Sequence, residues 1–367
     1  MIFVAIYSCG SSGESMIRRT RVLIVDDSPF MRMAIRRILT TDPDIEVVGV
    51  ASDGLEGVEK AMELKPDVIT MDVEMPRMDG IASVKKIMSV VPSRIIMVSS
   101  LTGEGATATF EALEAGAIDY ILKPAAENSM AQTQFKEELL HKVTGAASAS
   151  LHSHQASPSA PVESVDLSHK NPPMKRRIGC IGIGASTGGP VAVQEVISCL
   201  PHSFACPVIV AVHMPKAFTG PFAERLNAKC RITVREARDG ELLRNGTVLI
   251  APGGQHTTLL KSAAGIVVKL SPVTALAGVY VPSVDLLLSS LAESASGAAL
   301  GVILTGMGAD GCKGMQQVKS RGGMTLVQDQ ATSTVYGMPK ACIDGGIADT
   351  ILPLSKIGPM LEQLMAG

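Results

Sequence analysis

Tryptophan is absent from this 367-residue chain, and aromatic residues make up only 3% of it. So sparse a set argues against the stacking platforms that hold single-stranded nucleic acid. No uninterrupted apolar run reaches the length of a membrane-spanning helix, so no direct membrane insertion is expected. Neither sign of charge is in excess: 33 basic residues face 35 acidic ones, a formal net charge of −2. No global basic field advertises nucleic acid or an anionic membrane. The seven cysteines (Cys9, Cys180, Cys199, Cys206, Cys230, Cys312, Cys342) include no Cys-x-x-Cys pair. Their number is odd and most sit in apolar runs. Reduced, buried thiols of a cytoplasmic protein are expected, with a disulfide frame or a zinc site as the alternative.

What is present suits globular domains. The chain is 46% hydrophobic and 19% charged, enough to bury a sizeable core and too apolar for a disordered chain. Its length predicts two domains, or three. Thirty-five glycines fit a parallel α/β protein with many tight strand-to-helix turns.

Residues 1–20 read as a disordered extension or an upstream start. The stretch from Met1 to Tyr7 is apolar but short and lacks a basic flank; an export signal is the alternative. Residues 144–177 are rich in Ser, Ala and Pro and show no apolar periodicity. Such a segment cannot offset its ordering entropy and is expected to be a flexible linker. Its histidines (His152, His154, His169) are then solvated, as is the Lys175-Arg176-Arg177 run.

The linker divides the chain into domains at 21–143 and 178–367. In the first, five strands (near 21–25, 45–51, 67–71, 93–98 and 118–121) alternate with five helices (near 29–40, 54–64, 80–89, 105–115 and 125–142). In the second, strands near 178–183, 207–212, 231–235, 247–250, 299–304 and 323–327 alternate with helices near 189–199, 218–228, 283–295, 311–320 and 355–365. An antiparallel hairpin is expected within 247–282. The fold class is α/β: two doubly wound domains, an N-terminal (βα)5 unit and a C-terminal, mostly parallel unit with that hairpin attached.

In a parallel sheet the carboxyl ends of the strands open on one edge, where ligands bind. In the first domain that edge collects Asp26 and Asp27, Asp72, Ser99 and Lys123 from four strands. One strand-end Asp is explained by capping. Three carboxylates together repel unless a hard cation joins them, and magnesium fits an all-oxygen set. Lys123 and Ser99 suit an oxyanion. With Asp72-Val73-Glu74-Met75-Pro76-Arg77-Met78-Asp79-Gly80, this pattern resembles the receiver domain of two-component response regulators. The resemblance implies that Asp72 accepts a phosphoryl group from a histidine kinase. It also implies that Asp26, Asp27, Asp72 and the backbone carbonyl of Glu74 hold Mg2+, and that Ser99, Tyr120 and Lys123 form the switch. Serine stands at 99 where threonine is commoner.

The first strand of the second domain runs into Gly184-Ala185-Ser186-Thr187-Gly188-Gly189-Pro190, a Gly-x-Ser-x-Gly turn before a helix. A phosphate-binding glycine loop is the alternative, but the acid it needs about 20 residues on is missing. A serine nucleophile needs a base, and the base an orienting acid. His213 and Asp310 each follow a predicted parallel strand. His202 falls in a solvated loop. His256, with Asp239 or Glu241, is the rival pairing, placed in a loop and demanded by the usual hydrolase chain order. Asp310 as a simple helix N-cap remains open on local sequence alone.

Gly-Ala-Ser-Thr-Gly-Gly-Pro at 184–190, His-Met-Pro at 213–215 and Leu-Thr-Gly-Met-Gly-Ala-Asp-Gly at 304–311 closely resemble the catalytic domain of chemotaxis protein-glutamate methylesterases. The resemblance implies Ser186 as nucleophile, His213 as base, Asp310 as orienting acid, and Met307 with Thr187 at the oxyanion. No cofactor is expected at this site. The implied activity is phosphorylation-regulated hydrolysis of glutamate γ-methyl esters, with deamidation of glutamines, on chemoreceptors. The implied partners are the chemotaxis histidine kinase and the methyl-accepting chemoreceptors, and the implied location is the cytoplasm.

Overall fold

The computed structural model describes residues 18–100, 103–124, 129–147, 149, 178–272 and 280–366. Residues 1–17 of the expected extension at 1–20, Cys9, most of the expected linker and its three histidines lie outside the described residues; the extension's last residue, Thr20, already belongs to a strand.

The N-terminal unit comprises β1 (Thr20–Val25), α1 (Pro29–Leu39), β2 (Ile45–Ala51), α2 (Gly54–Leu64), β3 (Val68–Asp72), α3 (Gly80–Val90), β4 (Arg94–Ser99), α4 (Gly103–Glu114), β5 (Asp119–Leu122) and α5 (Ser129–Ala147). Its five strands form a parallel sheet in the order β2-β1-β3-β4-β5. Both faces of that sheet are covered, which is why Val22 to Val25 and Ile95 to Val98 read as continuous apolar runs and are buried. The helix starts were legible. Ser28 accepts from the Met31 N–H with Pro29 in the first turn, and Asp79 accepts from the Ala82 N–H.

Helix α5 corrects the expected boundary. It runs on to Ala147, past the predicted end at 142, and Val143, Ala146 and Ala149 are buried. Arg94 Nε donates to the Ala149 carbonyl at 2.7 Å. The Gly-Ala-Ala text there looks like linker, but its small residues pack closely.

The C-terminal unit comprises β6 (Cys180–Ala185), α6 (Gly189–Ser198), β7 (Val208–Val212), α7 (Lys216–Lys229), β8 (Thr233–Glu236), β9 (Thr247–Ile250), β10 (Gln255–Ser262), β11 (Gly265–Pro272), α8 (Val284–Ser294), β12 (Ala299–Ile303), α9 (Cys312–Ser320), β13 (Met324–Gln328), α10 (Met338–Asp344), β14 (Thr350–Leu352) and α11 (Leu354–Ala366). Seven strands form a parallel sheet in the order β14-β13-β12-β6-β7-β9-β8. The expected hairpin is β10–β11, a separate antiparallel pair tied to the rest by a bridge between Leu242 and Val267. The short elements α10 and β14 were not expected. The chain winds outward from β6 through β7 on one side and through β12 on the other, so the order of strand addition reverses between β6 and β12. That reversal opens a crevice at the carboxyl ends of these strands.

The two units pack against each other through α4, β5 and α5 of the first and α6, α7 and the loop after β12 of the second. Phe218 is the hub: Tyr120 stacks on it at 4.5 Å and Phe110 meets it edge-on at 5.8 Å, while Phe110 also lies 5.4 Å from Phe222 in a tilted pair. Each such aromatic pair contributes about 0.5–1.5 kcal/mol beyond area burial. At the rim Glu114 pairs with Arg225 at 2.7 Å and with Lys229. Among the described residues six cysteines are free; Cys180, Cys206 and Cys342 are buried, as expected of reduced thiols.

Candidate active site and acidic pocket

Ser186 follows β6, His213 follows β7 and Asp310 lies beyond the end of β12. Because the order is β12-β6-β7, three adjacent strands deliver the three side chains to the crevice. Ser186 Oγ lies 3.0 Å from His213 Nδ1, and His213 Nε2 lies 2.8 Å from Asp310 Oδ2. The relay therefore runs with Nδ1 toward the serine and Nε2–H donating to the carboxylate, the reverse of the ring orientation in the trypsin template. Either nitrogen can serve, provided the other is held as a donor.

The serine turn differs from a strained nucleophile elbow. Its positive φ falls on Gly188, at 75°, and not on Ser186. Glycine takes the left-handed conformation without steric cost. Ser186 is partly exposed, and its backbone N–H donates to the Thr305 carbonyl at 3.0 Å. Gly306 makes this approach possible, since a Cβ there would come within 2.8 Å of Ser186 Cβ. Thr305 locks the two loops further: its hydroxyl donates to the Thr187 carbonyl at 3.0 Å, and Gln328 Oε1 accepts from its N–H at 2.7 Å.

Asp310 does not cap its own helix. The residue before α9 is Gly311, with no side-chain cap, whereas Asp310 reaches the start of α8. There it accepts from Val284 N–H at 2.8 Å, Asp285 N–H at 2.9 Å and Ser283 Oγ–H at 3.1 Å. Burial pushes its pKa up, but the His213 bond and these amides prevail and hold it below the ordinary carboxylate value. It is thus a fixed negative charge at a helix N-terminus. The helix at 283–295 was predicted, and Ser283 before an apolar run was a readable N-cap signal. Its service to Asp310 is tertiary and was not readable.

The rival base is corrected. His256 sits in β10 and not in a loop, is buried, and its Nδ1 accepts from the Ser283 N–H at 3.3 Å. Asp239 and Glu241 pair instead with Lys269 and Arg235. His202 is exposed, as expected. Of the expected oxyanion residues, Thr187 follows Ser186 in its own turn and Met307 lies on the loop after β12. Among the described residues neither backbone N–H is spent on a backbone acceptor.

In the N-terminal unit Asp26, Asp27 and Asp72 bring one carboxylate oxygen each within 4.8 Å of one another. Lys123 Nζ lies 2.7 Å from Asp72 Oδ2 and 3.1 Å from Asp26 Oδ2. Asp72 Oδ1 accepts from the Val73 N–H at 2.8 Å. Burial, reinforced by Asp26 and opposed by Lys123, pushes Asp72 up to about 6. Burial raises Asp26 as well. Asp26 Oδ2 is fully buried and, among the described residues, accepts no well-aligned hydrogen bond despite the nearby lysine. A cluster of oxygen donors with a spare buried lone pair fits a hard cation. Ser99 is buried at the end of β4, accepting from Thr109 Oγ1 at 2.9 Å. Tyr120 is buried at the domain contact, and its hydroxyl has no hydrogen-bond partner among the described residues.

Fold and geometry define a class: a receiver-type domain packed on a domain with serine-hydrolase geometry. Residues 22–134 match the response regulator receiver domain model and residues 181–361 the CheB methylesterase model. The chain is 54% identical over 359 residues to protein-glutamate methylesterase/protein-glutamine glutaminase 1 of Geobacter sulfurreducens, covering 96% of this chain and 99% of that one. It is 53% identical to the corresponding protein 5 of Geobacter metallireducens, covering 95% and 98%. The crystal structure of the Thermotoga maritima CheB methylesterase catalytic domain superposes with a TM-score of 0.49 at 40% identity, covering 51% of this chain and 98% of that one. The chain belongs to the family of protein-glutamate methylesterases/protein-glutamine glutaminases that carry a receiver domain. No helix among its described residues is long and apolar enough to cross a membrane.

Proposed function

We propose that this protein hydrolyses glutamate γ-methyl esters on chemoreceptors, deamidates receptor glutamines at the same site, and is controlled by phosphorylation of Asp72. The observation that carries the reading is the continuous Ser186–His213–Asp310 relay at the reversal point of the sheet.

His213 Nδ1 takes the Ser186 proton as Oγ attacks the ester carbonyl. Asp310 holds the Nε2–H and stabilises the imidazolium that forms. The Thr187 and Met307 N–H groups receive the developing oxyanion. The imidazolium then protonates the departing methoxide, so methanol leaves and an acyl-serine remains. His213 takes a proton from a water, which attacks the acyl carbonyl; the imidazolium returns that proton to Ser186 Oγ as the acyl bond breaks, and the product acid gives its remaining proton to solvent to leave the receptor carboxylate. With a glutamine substrate the leaving group is ammonia. Ser186, His213 and water account for every proton moved.

In the acidic pocket Asp26, Asp27, Asp72 and the Glu74 carbonyl would hold Mg2+. Bound there, the ion neutralises charge on the phosphoryl group being transferred. Asp72 is the acceptor, Lys123 pairs with the new phosphoryl charge, and Ser99 donates to it. Tyr120 lies under Phe218, at the start of the helix that follows His213, so a rearrangement of Ser99 and Tyr120 bears on the domain contact. The phosphodonor is a histidine kinase, and the setting is the cytoplasmic side of a chemotaxis array.

The test is methanol release from methylated receptor membranes by the full-length protein. Ser186→Ala should lower the rate by several orders of magnitude while melting within about 1 kcal/mol of wild type. Near-wild-type release by Ser186→Ala overturns the serine-hydrolase reading.

A further inference from the structure

Tyr280 lies where three parts of the molecule meet. Its ring is stacked on the His213 imidazole, with centroids 4.2 Å apart and planes 3° from parallel. Its hydroxyl is 3.2 Å from Nε2 of His141, which belongs to α5 of the receiver. The same hydroxyl overlies the loop after β12, where a Cβ at Gly308 would come within 3.3 Å of it. Tyr280 is also anchored from behind, since Ser283, three residues on, donates to Asp310. One short segment thus touches the base by a ring face and the orienting acid by a hydroxyl.

We propose that Tyr280 is a positioning residue for His213, and that His141 of the receiver restrains it in the unphosphorylated protein. The proposal rests on the triad reading above. An imidazole held only at its two nitrogens can still rock about the line joining them, and a parallel ring 4.2 Å away stops that motion. The same face attracts the ring when it becomes imidazolium, since a cation over an aromatic face is stabilised. Burial keeps His141 below its ordinary value, and Lys142 beside it adds to this, so one ring nitrogen is left without a proton; with the proton on Nδ1, Nε2 accepts from the tyrosine hydroxyl. Asp119 and Glu138 act in the opposite direction and do not prevail. The receiver therefore restrains the stack from the far side, in addition to the Phe218 contact. Its release would uncouple the stacked pair from the receiver while the ring-on-ring contact that positions His213 stays.

The experiment is steady-state methanol release by full-length variants, with and without acetyl phosphate and Mg2+. With phosphodonor, Tyr280→Leu, which keeps bulk but loses the aromatic face, should lower kcat about tenfold and leave KM within about twofold. Tyr280→Phe should rescue most of that kcat. Without phosphodonor, His141→Ala and Tyr280→Phe should each raise the rate about threefold, and the double variant no further, since both remove one shared bond. Wild-type kcat in Tyr280→Leu, or a change confined to KM, overturns the positioning role. An unchanged rate in His141→Ala, or additive effects in the double variant, overturns the restraint. If Tyr280→Leu does not fold, the His141 and Tyr280→Phe arms still decide. Activity surviving in Ser186→Ala would instead fault the triad reading itself.

Discussion

Asp72 and Asp310 occupy comparable places, each at the carboxyl edge of a parallel sheet, and their acidities move in opposite directions. Asp72 is driven up to about 6 because burial and the neighbouring Asp26 outweigh Lys123. Asp310 is buried too, yet it falls below the ordinary value, because the imidazole and the first amides of α8 surround it with donors. One edge makes a crowded carboxylate of weakened acidity, among oxygen donors that fit a hard cation. The other makes an anion held by helix amides and hydrogen-bonded to an imidazole. What converges on the carboxylate decides its role, and sheet position alone does not.

The largest effect should come from erasing that difference. Asp310→Asn keeps the shape but removes the charge opposite His213 Nε2. The rate of methanol release should fall on the order of 10³-fold or more, with the fold retained. His256→Ala, which removes a buried ring behind Ser283, should cost stability by about 1–2 kcal/mol while changing the rate less than tenfold. Similar rate losses in both variants would mean that the relay is not the special feature.

A smaller effect tests the packing of the receiver on the site. Any side chain added at Gly145 on α5 would strike the sulfur of Met307. Gly145→Leu should therefore weaken the domain contact and raise the unstimulated rate several-fold, on the scale of 1–3 kcal/mol typical of coupling between sites. An unchanged rate would show that this contact is not part of the restraint.

The smallest effect concerns the acidic pocket. The Asp72 pKa lies above its ordinary 3.8 in the folded protein. Between about pH 4 and 6 the unfolded chain gives up this proton first, so the fold loses stability as pH rises through that window. Mg2+ can relieve the cost only where Asp72 is ionised. Millimolar MgCl2 should raise the melting temperature by a few degrees at pH 7.5, and by less at pH 5.5. Equal shifts at both values would contradict a proton–cation competition at Asp72.

The residues of both sites were legible because each follows an apolar strand, and parallel topology converts sequence position into shared location. Ser186, His213 and Asp310 could be paired on that ground, and Asp26, Asp72, Ser99 and Lys123 likewise. What could not be read depended on distant packing. The amides that hold Asp310 come from α8, about 25 residues away in sequence. His256 looked like a loop histidine because Pro252-Gly253-Gly254 precedes it, yet it opens a strand. Residues 144–147 looked like tether because Gly and Ala carry no periodicity, although their smallness is what lets α5 approach Met307. The strand β14 has three residues and α10 has seven, too few for a pattern to show.

The most direct measurement of the central claim is methanol release from one preparation of methylated receptor by full-length wild type and Asp72→Ala, each with and without acetyl phosphate and Mg2+. Wild type should be slow alone and rise by roughly 5–150-fold with phosphodonor, the range of a single coupling between sites. Asp72→Ala should remain at the slow rate under both conditions. A wild-type rate indifferent to phosphodonor, or an equal rise in Asp72→Ala, would contradict the account that the acidic pocket governs the serine site.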